Sequence, residues 1–221
     1  MEIYQHPEYY LQTVFFRDFQ KETQFILDVY KKNSELPLNK ILDIACGPAI
    51  HALLMGQQGF EVHGFDNSVP MLEFAEKLAK REKVNIHLGV GDIENFTYQT
   101  PFQLIFCAIS TITYLLEPEQ IRNHFQSIAS CLETGGLYAV EIPHPSTFSF
   151  KEPLEINYEA PDTNTLKNTK VKTTLKAANY LDQKVTTITE FETNDNGKQV
   201  SLKSEHVSKV IFPQELKTYA T

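Results

Sequence analysis

The stretch Ile41-Leu42-Asp43-Ile44-Ala45-Cys46-Gly47-Pro48-Ala49-Ile50 decides how the chain reads. Its first four residues form a short apolar strand, which breaks into a loop of small residues from which a helix can start. Small residues let a backbone approach a ligand closely, and the N–H groups opening the next helix favour polar or anionic partners. About twenty residues on, a second strand, Phe60 to Phe65, ends in Asp66, where nucleotide-binding α/β proteins hold a ribose. The geometry suits an adenosine-containing ligand.

A dinucleotide site needs glycines at three spaced positions so that a pyrophosphate can rest on the helix end, and only Gly47 is glycine here. A pyrophosphate is therefore not expected. A third strand, Asn85 to Gly89, ends near Gly91-Asp92-Ile93, where a carboxylate can meet an adenine amino group. The set resembles the class I S-adenosylmethionine (SAM)-dependent methyltransferases of small-molecule type, over roughly residues 35 to 145. The resemblance implies a loop of Asp43, Ala45, Gly47 and Ala49 around the amino-acid end of the cofactor. It makes Asp66 the ribose acid, with Asn67 and Met71 as further cofactor contacts, and Asp92 the adenine acid, with Ile93 beside the ring. Ala108, Ile109 and Ser110, after the fourth strand, are expected to border the methionine end. Ala45 and Ala49 stand where the family has glycine, and alanine resists the positive φ that glycine adopts freely. If either position needs φ > 0, the loop is strained or reshaped.

The surrounding pattern is α/β. Leu11, Phe15, Phe19, Phe25, Ile26 and Val29 mark one or two helices between Tyr9 and Lys32, packing on the sheet or over its mouth. Ser68 is placed to cap a helix with Pro70 in its first turn and a stripe of Leu72, Ala75, Leu78 and Ala79. Pro101 to Ala108 gives a fourth strand. Ile121, Phe125, Ile128 and Leu132 give a helix ended by Gly135-Gly136, and Leu137 to Ile142 a fifth strand. Five strands alternating with helices predict a parallel sheet with right-handed crossovers, and the resemblance implies a Rossmann-like, doubly wound, mostly parallel sheet of order 3-2-1-4-5. After Pro143 the pattern changes. Lys170 to Leu181, Lys184 to Glu192 and Lys198 to Phe212 alternate and are rich in Thr and Val, with a strong turn at Asn194-Asp195-Asn196-Gly197. An antiparallel β cover is expected, with domains at 1–145 and 146–221. The resemblance implies a further helix and closing strands that do not follow, so the second domain reads either as truncated or as ending naturally, and either the cover or a homo-oligomer is expected to protect the sheet edge.

Composition narrows the partners. A net charge of −8 over 221 residues argues against nucleic acid. The basic residues between Lys167 and Lys176 read as the wet face of a strand, and a small-molecule acceptor is expected. Three cysteines, Cys46, Cys107 and Cys131, read as reduced core residues in a cytoplasmic protein. Neither a secretory leader nor a membrane span is recognisable, and a domain this long needs no structural metal.

Methyl transfer asks mainly for alignment of an unprotonated nucleophile, so a missing catalytic motif is no argument against it. An alcohol acceptor needs a general base; an amine needs one only to lose its proton. His144, just after the fifth strand, is the candidate base or acceptor-orienting group, against a structural role between Pro143 and Pro145. His206 is a weaker candidate. His6, Tyr4, Tyr9 and Tyr10 are placed either to close over the cofactor or to pack in a core. Two other readings compete with a methyltransferase acting on N or O: an inactive SAM-binding module, prompted by Ala45, Ala49 and the early stop, and an NAD-dependent oxidoreductase on a similar sheet.

Overall fold

Strand β1 (Lys40–Ile44) lies at the centre of a five-stranded parallel sheet. In a computed structural model that describes residues 2–144, 147, 153–179 and 181–220, β2 (Glu61–Asp66), β3 (Ile86–Val90), β4 (Phe102–Cys107) and β5 (Leu132–Val140) complete it in the order β3-β2-β1-β4-β5. This is the expected order. Ile41, Leu42, Ile44, Leu104, Ile105 and Phe106 are almost wholly buried, as strands covered on both faces require.

Helices α2 (Phe19–Asn33), α3 (Ile50–Gln57) and α4 (Val69–Glu82) supply Leu27, Tyr30, Ala52, Met55 and Ala75 to one apolar cluster with Ile41, Val62, Leu104 and Phe106. Asp18 caps α2 by accepting the Lys21 amide at 3.1 Å. Helix α5 (Pro118–Cys131) starts where the Gln120 side-chain oxygen accepts the Leu116 and Glu117 amides, and it buries Ile121 and Ile128. The short α6 (Pro213–Tyr219) lays Tyr219 parallel to Phe125 of α5, ring centroids 6.3 Å apart.

The expected helix stop at Gly135-Gly136 is instead a strand irregularity. Helix α5 ends at Cys131, and β5 starts at once, its register against β4 slipping between the Phe102–Leu132 and Leu104–Leu137 pairs. Gly135 takes φ +87°, and a Cβ on Gly136 would lie 2.8 Å from the Gln103 carbonyl oxygen. Glycine serves a bulge here.

Residues Asp18–Ile142 and Gln214–Thr221 form one compact unit, and Met1–Arg17 and Pro143–Pro213 the other. The second holds a four-stranded antiparallel sheet, β6 (Leu154–Ala160), β7 (Leu166–Asn179), β8 (Lys184–Asp195) and β9 (Lys198–Lys209). Strand β6 was not anticipated, although its run Leu154-Glu155-Ile156-Asn157-Tyr158-Glu159-Ala160 alternates apolar and polar residues strictly, the period of a strand; most of it is exposed. The end of the expected 170–181 strand meets Tyr180, outside the described residues. The N-terminal aromatics, assigned by sequence to the first domain, pack here. Helix α1 (Pro7–Thr13) stacks Tyr9 on the buried Phe191 at 5.2 Å, the Tyr9 hydroxyl donates to Asp195 at 2.7 Å, and Tyr4 and Tyr10 pack together.

The β8–β9 hairpin closes through Asn196 (φ 49°) and Gly197 (φ 89°), the two positive φ values of a type I′ turn. Gly197→Ala forces a Cβ into that conformation at an exposed tip. It should cost roughly 1 kcal/mol in denaturant unfolding, where a tip substitution outside such a turn costs nothing measurable.

Candidate functional site

The loop after β1 is strained at both of its alanines. Ala45 has φ 53°, Gly47 53° and Ala49 55°, with Ala49 at the N-cap of α3. Pro48 is fixed at negative φ by its ring, so the loop alternates in hand. A left-handed alanine costs on the order of 1 kcal/mol. Of the two alternatives in the sequence, strain is the outcome.

One carboxylate holds the loop. The Gly47 amide donates to Asp66 Oδ2 at 2.8 Å, and the Ser68 amide donates to Asp66 Oδ1 at 2.8 Å. The Cys46 amide bonds the Phe65 carbonyl at 2.9 Å, and the Gly91 amide bonds the Asp66 carbonyl at 3.1 Å. The tips of β1, β2 and β3 are thus laced together, and the acid expected on the ribose is also the clamp of the loop. Burial raises the Asp66 pKa, against the Ser68, Gly47 and Asn67 amides that lower it. Ser68 occupies the N-cap of α4, its side chain makes no cap bond, and its own amide donates to Asp66.

Asp43 lies beneath, 2% exposed, with Oδ2 unbonded. Burial pushes its carboxyl well above the usual range, the Asp66 charge adds to that, and the Ala52 amide opposes it. Asp92 is exposed, its Oδ1 accepting the Glu94 amide at 2.7 Å. Met71 is 1% exposed, a core side chain of α4, and Ala108 is half-buried against the main apolar cluster. His144 is exposed and lies in the other unit, where its carbonyl accepts the Thr147 amide and hydroxyl. Its flanking Pro145 is outside the described residues. His206, in β9, is half-buried, and burial lowers its pKa.

Three features were not found by sequence. Buried His124 of α5 bridges Ile93 and β5: Nδ1 donates to the Ile93 carbonyl at 2.6 Å, which leaves Nε2 to accept the Tyr138 hydroxyl at 2.7 Å. Burial lowers its pKa and keeps it neutral. On the same face, Gln120 and Asn123 donate to the Glu94 carboxylate and Ser127 bonds Glu94 and Phe96 backbone groups. His124 and Ser127 occupy buried positions of α5 where the apolar stripe alone was counted. The third feature is Glu141, which follows β5 and accepts the Ile109 amide at 2.8 Å. It braces a turn in which Ile109 (φ 51°) and Ser110 (φ 57°) are both left-handed, a conformation especially costly for a β-branched residue.

Residues 41–136 match the family model of a methyltransferase domain. The chain is 29% identical over 126 residues to the dTDP-4-amino-2,3,4,6-tetradeoxy-D-glucose N,N-dimethyltransferase of Saccharopolyspora spinosa, covering 57% of this chain and 48% of that one. It is 26% identical over 118 residues to the cypemycin N-terminal methyltransferase of a Streptomyces species, covering 52% and 47%. The chain spans about half the length of the curated relatives it matches. Its fold is that of an S-adenosylmethionine-dependent methyltransferase from Clostridium acetobutylicum (TM-score 0.79, 20% identity, 92% of this chain and 79% of that one). It is equally that of Streptomyces venezuelae DesVI (TM-score 0.78, 21% identity, 91% and 81%). Residues 41–136 are thus similar to methyltransferase domains, and the fold is the one that class I SAM-dependent methyltransferases share.

Ala45→Gly relieves a strained φ at a half-buried position and should stabilise the fold by about 0.5–1 kcal/mol. Ala49→Gly also gives up a buried methyl worth ~0.8 kcal/mol, so it should come out near neutral in the same denaturant titration. His124→Phe keeps an aromatic ring but takes away the donor to the Ile93 carbonyl and the acceptor of the Tyr138 hydroxyl, and should cost about 2–4 kcal/mol. Hydrogen exchange should show lost protection through residues 93–96.

Proposed function

We propose that the chain transfers a methyl group from SAM to a nitrogen or oxygen of a small molecule, with an amine nitrogen as the favoured acceptor. The observation that carries this reading is the juxtaposition of Asp43, Gly47 and Asp66 at the carboxyl tips of β1 and β2. Its features fit the cofactor. Asp43 Oδ2 is a buried carboxylate oxygen with no partner, which suits the amino-acid ammonium. A Cβ on Gly47 would meet nothing within 4 Å, so the cradle is open there. Asp66 spends one lone pair of each oxygen on amides and keeps the others for vicinal hydroxyls.

In this reading Asp43, Ala45, Gly47 and Ala49 hold the methionine end, with Ala108 at its border. Asp66, Asn67 and Met71 hold or support the ribose, and Asp92 and Ile93 meet the adenine. SAM supplies an electrophilic methyl group on its sulfonium. The protein then has to align a neutral amine in line with that group, and positioning can supply several kcal/mol of the barrier. His144 is the group proposed to take the amine proton. The nitrogen preference rests on relatives named as amino-sugar N,N-dimethyltransferases and a peptide N-terminal methyltransferase. The three unpaired thiols, Cys46, Cys107 and Cys131, suit a reducing, cytoplasmic setting.

Calorimetry with SAM and S-adenosylhomocysteine tests the site, and labelled SAM with amino-sugar nucleotides and peptide amines tests the acceptor class. Micromolar binding is expected, and heats absent for both ligands would refute the reading. Asp43→Asn separates stability from function. The folded chain holds the Asp43 proton more tightly than the unfolded chain, so stability falls as pH rises from the unfolded pKa toward the raised folded value. The amide removes that penalty. At pH 8 the ligand-free variant should melt no lower than the wild type, while its SAM affinity drops about tenfold or more through loss of a charged hydrogen bond.

A further inference from the structure

We propose that Glu61, His63 and His87 form a binding site for a divalent transition cation of the zinc type, separate from the proposed cofactor site. Sheet geometry brings the three together. Glu61 and His63 are two apart on β2 and therefore share a face, and His87 of β3 is the register partner of His63. Val62, Ile86 and Leu88 pack into the α2–α3–α4 cluster, so the alternate residues face the opposite side. There the donor atoms all lie within 4.8 Å of one another, with His63 Nε2 2.8 Å from Glu61 Oε1. The imidazoles stack with centroids 4.5 Å apart.

Zinc holds imidazole nitrogen and carboxylate oxygen at about 2.0–2.2 Å, so its donors sit roughly 3.3 Å apart in a tetrahedron. Small rotamer shifts of an exposed Glu61 and an exposed His87 close the remaining gap around the half-buried His63. Two histidines and one carboxylate leave a fourth position for water, and imidazole donors favour zinc over magnesium. The surroundings are compatible. Tyr98 and Phe102 pack edge-on against His63 and fix its ring. Among the described residues Lys40 is the competing cation in contact: its Nζ lies 3.5 Å from Glu61, but it also bonds Thr100 and sits over the Phe102 ring, contacts it can keep when Glu61 turns to a metal. Burial depresses the His63 pKa, with the neighbouring His87 and Lys40 adding to that and Glu61 opposing, which favours the neutral imidazole that a metal needs.

The site lies toward the amino ends of β2 and β3, whereas Asp66 closes the carboxyl end of β2, so the two are separable by experiment. The untagged full chain is titrated calorimetrically with Zn²⁺, then with Mg²⁺. One saturable, EDTA-reversible Zn²⁺ site is expected and none for Mg²⁺. His87→Ala and Glu61→Gln, both at exposed positions and checked for fold by circular dichroism, should each weaken Zn²⁺ binding by at least the ~10-fold that loss of even an outer-shell partner costs. His6→Ala should leave Zn²⁺ binding unchanged, and binding of S-adenosylhomocysteine should be the same in the His87→Ala and Glu61→Gln variants as in the wild type. No saturable Zn²⁺ binding, equal binding of Mg²⁺, or Zn²⁺ affinity unaltered in both site variants would each overturn the proposal.

Discussion

The tips of the parallel sheet depend on one carboxylate bonded in two directions. Asp66 accepts the Gly47 amide from the loop after β1 and the Ser68 amide opening α4, and its own carbonyl takes the Gly91 amide beyond β3. Without it, amides in a half-buried loop would lack partners, each at a cost of about 1–3 kcal/mol. That is comparable to the strain held in Ala45 and Ala49. The loop can therefore keep two left-handed alanines because its neighbours fix it.

The same economy recurs at the other tips. Along α5, His124, Ser127, Gln120 and Asn123 turn a helix face into a polar rail for residues 93–96, anchored to β5 through Tyr138. After β4, Glu141 braces the left-handed pair Ile109 and Ser110. Neither device adds apolar burial. Both hold irregular backbone rigid at the end of the sheet where doubly wound folds place ligands, and such rigidity lets positioning lower a barrier.

Much of this was readable because local rules acted unopposed. Apolar runs bounded by small residues and acids gave β1 to β4 within a residue or two, and the Asn196-Gly197 pair gave the hairpin. Reading failed where one residue type serves two purposes. Gly135-Gly136 signals a helix end or a bulge equally, and the choice fell to the crowding of Gly136 against β4. A buried histidine inside a helical period carries no mark of its partner. The N-terminal aromatics read as a helix, but their destination against Phe191 is a contact over more than 180 positions, invisible to periodicity.

The sequence by itself determined the parallel sheet, the small-residue loop and the three acids, because hydrophobic period, turn chemistry and acid spacing are local, and the strand order followed from the family resemblance. Only the tertiary structure decided that Asp66 clamps the loop, that Asp43 keeps an oxygen unbonded, and that Glu61, His63 and His87 meet. Each of these follows from strand register and burial, which bring together side chains far apart in the chain and fix which lone pairs remain free.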